Sequence, residues 1–156
     1  MGLYLARRYD ESIAQLQKTL EMDANFYGAH FGRAYMLKGR YEEAISACQT
    51  ALSLSETSFV ITTLGMAYAR SGQRDEALRV LDRLDELATR QYVRPRYRAE
   101  ILFALGEVDQ GFAWLERAYQ ERDGSLKWLN VGPSLADSLR ADARFTALIK
   151  KVGFDQ

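Results

Sequence analysis

Apolar and small residues recur along the chain at helical spacing, and the recurrence is itself repeated. Phe31, Gly32 and Tyr35 stand at i, i+1 and i+4, one face of a helix, and Leu64, Gly65 and Tyr68 repeat the arrangement. Landmarks move by a constant step of 33: Gly32 to Gly65, Tyr35 to Tyr68, Gly39 to Gly72, Ala44 to Ala77. A further step of 34 reaches Ala99, Gly106 and Gly111, and upstream Tyr9-Asp10-Glu11-Ser12-Ile13 matches Tyr41-Glu42-Glu43-Ala44-Ile45 at a step of 32. A period of this length with helical patterning predicts stacked two-helix units.

Each unit reads as two helices with a tight turn between them. Gly39, Gly72 and Gly106 stand where the first helix must end. The acidic pairs Asp10-Glu11, Glu42-Glu43 and Asp75-Glu76 then fall in the first turn of the second helix, where the helix dipole favours negative charge. Second helices carry apolar stripes at i, i+4, i+7: Ala44, Cys48, Ala51, then Ala77, Leu81, Leu84, then Gly111, Leu115, Ala118. Small residues on both helices predict close approach, and a unit that cannot bury its stripe alone must stack on its neighbours.

These residues resemble the tetratricopeptide repeat (TPR) signature, W-x2-L-G-x2-Y followed by A-x3-F, A and P. Phe31-Gly32-x2-Tyr35 with Ala44-x3-Cys48-x2-Ala51 matches it, as does Leu64-Gly65-x2-Tyr68 with Ala77-x3-Leu81. The third copy departs: Arg98 replaces the leucine and Leu102 the tyrosine, and the closing proline is absent from every copy. The resemblance implies an all-α, right-handed superhelix in a single domain. It divides into a partial repeat at 1–24, repeats at 25–57 and 58–91, a divergent repeat at 92–122 and a C-terminal cap at 123–156. In the cap, Asp142 is a good N-cap, Phe145, Leu148, Ile149 and Val152 form an apolar stripe, and Gly153 is a good stop. The closing segment also resembles the TPR arms of bacterial signalling and regulatory proteins, whose catalytic and DNA-binding parts have no counterpart in this sequence.

Composition narrows the functional classes. In 156 residues, 21 Lys and Arg balance 21 Asp and Glu, which argues against binding nucleic acid or membranes by bulk charge. One cysteine, Cys48, leaves no internal disulfide framework. No apolar run is long enough to span a bilayer, and the N-terminus shows no signal peptide, so a cytoplasmic location is expected. The single histidine, His30, is expected to be partly exposed or in a groove, and Cys48 to be a buried thiol. No phosphate loop, nucleophile elbow or metal-ligand spacing is present, and neither a catalytic residue nor a cofactor or metal site is expected. The run Arg94-Pro95-Arg96-Tyr97-Arg98 has two readings: a basic, aromatic surface for RNA, which neutral charge disfavours, or a helix start at Pro95.

The resemblance further implies a concave groove lined by the first helices. Its expected partner-binding residues are Phe26, Arg33 and Met36, then Phe59, Met66 and Arg70, then Arg96 and Glu100. The lysine and asparagine of the family's carboxylate clamp are missing from the matching positions. Phe and Met beside arginines suit an acidic-apolar peptide or protein segment. The alternative is self-association: Leu3, Ile13, Leu16 and Leu20 form a stripe that the short first helix covers only in part, predicting a homodimer through residues 3–20.

Overall fold

A computed structural model describes residues 8–19, 24–129 and 137–153. All regular structure among them is helical: α1 (Tyr9–Thr19), α2 (Ala24–Leu37), α3 (Tyr41–Leu54), α4 (Ser58–Arg70), α5 (Arg74–Ala88), α6 (Pro95–Ala104), α7 (Val108–Gln120), α8 (Asp137–Arg140) and α9 (Ala143–Val152). A 3-10 turn, Gly124–Trp128, follows α7. Helices pair as the period requires, α2 on α3, α4 on α5 and α6 on α7, while α2, α4 and α6 also pack side by side as an inner layer.

The turns within pairs share one construction. Gly39, Gly72 and Gly106 take positive φ of 81°, 84° and 82°, a region that costs glycine little. The next amide then reaches back to the helix: Arg40 N to Tyr35 O, Gln73 N to Tyr68 O and Glu107 N to Leu102 O, each 2.9 Å. The end of α7 repeats the pattern without glycine, with Arg122 at φ 57° and Asp123 N donating to Ala118 O at 2.9 Å. Between the second and third units, Thr57 caps α4 by accepting from Val60 N, and Pro95 opens α6 as expected.

Side-chain volume decides how closely a pair approaches. A Cβ on Gly32 would lie 2.4 Å from Cys48 Sγ, so the fully buried thiol occupies the space that glycine leaves. Burial pushes the Cys48 thiol up to about 12, where it stays protonated and inert. Gly111 serves the third pair, since a Cβ there would stand 2.4 Å from the Phe103 ring. That ring is locked edge-on against Phe112, with centroids 5.1 Å apart. Gly111→Ala is therefore expected to destabilise the chain by about 1–3 kcal/mol, the cost of overpacking, despite alanine's better helix propensity. Chemical denaturation checks the sign.

Three apolar clusters follow the stack. Ile13 of α1 packs with Phe31 and Ala34. The largest joins the two central units to each other and to α6 through Met36, Cys48, Ile61, Leu64, Leu84 and Ile101. The third unites α7 with the 3-10 turn and α9 through Phe112, Leu115, Leu126, Leu129, Phe145 and Leu148. As expected from the sequence, Asp142 caps α9 by accepting from Arg144 N, and Gly153 closes it at φ 88°.

Candidate partner-binding groove

The inner layer sets equivalent residues of successive units side by side. Arg33, Met66 and Glu100 occupy the same register on α2, α4 and α6, and they form one row. Arg33 donates from Nη1 and Nη2 to Glu100 Oε2, both at 3.3 Å, and Nη1 lies 3.6 Å from Met66 Sδ. From the far side Arg96 Nε donates to Glu100 Oε1 at 2.8 Å, while its Nη1 reaches Ser125 O at 2.8 Å. Beside this row Arg70 Nη1 lies 3.2 Å from Met36 Sδ. The Arg33 guanidinium stands 5.6 Å from the Phe59 ring centroid.

Burial here is deeper than a lined groove implies. Met36 and Met66 are wholly enclosed, Glu100 is 2 % exposed and Arg33 9 %; the Arg96 side chain is 11 % exposed, and Arg70 and Phe59 are half-buried. Burial by itself would raise the Glu100 pKa, but Arg96 and Arg33 hold the carboxyl below its ordinary value, so it is ionised between two guanidiniums. Arg70 is lowered by burial, with Arg33 adding to the effect. His30 is not partly exposed. It is buried on α2 with its ring 5.6 Å from Phe59, and burial, assisted by Arg33, lowers its pKa and keeps it neutral.

The Arg94–Arg98 run is bound into the protein. Arg94 Nη1 donates to Asp123 Oδ1 at 2.8 Å, Arg96 to Glu100, and Arg98 Nε to Asp85 Oδ1 at 2.7 Å. Asp123 and Ser125 follow α7 in the chain, so Arg94 and Arg96 tie the start of α6 to the segment after α7. Of the self-association stripe, Ile13 is buried within the chain at 7 % exposure. Leu3, Leu20 and the side chains of Leu16 and Phe26 lie outside the described residues. The spacing found the row's members one by one but not their mutual pairing. It did not single out the Arg98–Asp85 pair, whose one signal is an arginine standing in a leucine position.

Paired helices stacked with a periodic inner row define a helical-repeat scaffold of the protein-interaction class. Two family models described as tetratricopeptide repeat match residues 3–58 and 35–99, together more than half of the chain, and the chain belongs to that family. It is also similar to anaphase-promoting complex subunit 3 of Schizosaccharomyces pombe, 27% identical over 112 residues, which cover 70% of this chain and 17% of that protein. The chain thus spans less than a fifth of the relative's length. No solved structure matches. Among the described residues, no helix is long and apolar enough to cross a membrane.

Proposed function

We propose that the protein is a non-catalytic docking arm whose inner layer takes an acidic-apolar segment of a partner protein. The observation that carries this reading is the inner row itself, where arginines of neighbouring units stand beside methionine thioethers. A carboxylate of the segment meets Arg70, the half-buried arginine, and its apolar residues lie toward Phe59. Similarity to a subunit of a multiprotein complex supports a role in assembly. The C-terminal segment's likeness to bacterial signalling arms supports placing this arm in a regulatory protein.

The burial of Arg33 determines the test. Charge reversal there sets a second carboxylate against Glu100, and loss of binding would then report unfolding. Arg70→Gln removes a guanidinium that does not carry the Glu100 pair. Short peptides selected on the wild-type protein from a phage-displayed library should be rich in Asp, Glu and large apolar residues. Arg70→Gln should weaken them about tenfold, the loss of one charge-assisted contact, at an unchanged circular dichroism spectrum. Undiminished affinity of every selected peptide in that variant would refute the groove reading.

A further inference from the structure

On the outer face, the cleft between α5 and α7 has been rebuilt around a charge. Its counterpart one unit earlier, between α3 and α5, is a cavity of about 290 Å³ lined by Leu52, Leu64 and Val80. The period carries those residues onto Asp85, Arg98 and Trp114, and all three line the later cleft, of about 430 Å³. Leu64 is 5 % exposed and Arg98 7 %, so a guanidinium sits at the depth of a core leucine. It lies 4.8 Å from the centroid of Trp114, which Arg117 approaches to 4.9 Å.

The groups around the cleft divide into fixed and displaceable. Arg98 is fixed, its side chain enclosed and stacked on Trp114. Asp85 is displaceable: 64 % of its side chain is exposed, and its Oδ1 alone receives both Nε and Nη2 of Arg98. Arg117 and its partner Glu121 also reach into solvent. An incoming carboxylate can take the guanidinium with two oxygens, the stronger fork geometry, while Asp85 swings out and is hydrated. Beside it Val93 and Pro95 form a buried apolar wall, and Tyr92, 64 % exposed, presents a ring at the rim. A Tyr so placed supplies contact area at low entropic cost.

We propose that this outer cleft is a second docking site, in which Arg98 takes the acidic side chain of a partner protein segment in place of Asp85 and Tyr92 covers an adjoining apolar residue. The site is independent of the inner groove. Arginine in a leucine position is also explained: packed leucine there is as stable or more so, so the charge is kept for binding.

The test uses the full chain and peptides selected from a phage-displayed library on an Arg70→Gln background, which disables the inner groove and leaves the cleft intact. Recovered peptides should pair Asp or Glu with a neighbouring large apolar residue. Arg98→Leu restores the residue of the preceding unit and should keep or raise the melting temperature while lowering affinity at least about tenfold. Asp85→Asn removes the internal competitor and should raise affinity several-fold. If Arg98→Leu does not fold, Arg98→Gln replaces it with the same expected loss. The proposal is overturned if no such peptide is recovered, if affinity survives the Arg98 variants, or if Asp85→Asn weakens binding. Failure of the inner-groove reading shows separately, as indifference to Arg70→Gln of every peptide selected on the Arg98→Leu chain, whose outer cleft is disabled.

Discussion

Glu100→Gln is expected to cost about 3 kcal/mol, among the largest single losses in this chain. The glutamine keeps shape and hydrogen-bonding capacity but removes the charge on which Arg33 and Arg96 converge. Breaking a buried ion pair from one side costs ~3–5 kcal/mol, because the surviving charge stays buried without compensation. For a domain of this size each kcal/mol moves the melting temperature by about 2–4 °C, so a fall of roughly 6–12 °C should be seen. The double variant Arg33→Met, Glu100→Gln should regain part of that loss, since one of the two stranded guanidiniums is gone. Strict additivity would mean that the residues do not interact.

The same carboxyl fixes a pH dependence. Its folded-state pKa is depressed below the ordinary glutamate value, so its contribution is complete above the unfolded-state pKa, about 4.3. That contribution is lost as pH falls from there through the folded-state value. Wild-type stability should therefore drop more steeply in this acid range than that of Glu100→Gln, and the two curves should converge at low pH. Urea titrations at a series of pH values check this.

What was legible in the sequence was whatever repeats locally. Gly39, Gly72 and Gly106 mark turns because a left-handed residue is a local requirement, and Asp142 and Gly153 mark both ends of α9 for the same kind of reason. Cys48 was legible as buried because it stands at the repeat position that usually holds an aromatic core residue. The inner row was legible only as single residues. That Arg33 meets Glu100, 67 residues on, follows from superposing three units, and no spacing within one unit encodes it. The depth of Met36 and His30 was hidden similarly, since neighbouring helices decide how far a position sinks. Arg98 shows the limit most plainly. As a motif position it read as a lost leucine, and its meaning depends on Asp85 and Trp114, which reach it from two other helices.

Removal of the chain from Ala141 onward should leave a folded but weakened stack that binds hydrophobic dyes. Helix α9 sets Phe145 and Leu148, each 4 % exposed, into the cluster that holds Phe112, Leu115, Leu126 and Leu129. We propose that α9 covers the apolar side of the preceding unit and presents a polar outer face, with Lys150 and Lys151 near its end and Phe145 and Leu148 buried. The surface ion pairs that accompany it, Arg144 with Asp109 at 2.7 Å and Lys151 with Glu116 at 3.0 Å, lie in solvent and add little. Packing therefore carries the attachment. Phe145→Ala isolates that term: it keeps the helix and its caps but opens a cavity, at an expected cost of about 3–4 kcal/mol. The truncated chain loses the same contacts and exposes the last unit, so it should melt well below the parent and self-associate at concentrations where the parent does not. An unchanged melting temperature in both variants, without dye binding, would show that α9 does not cap the stack.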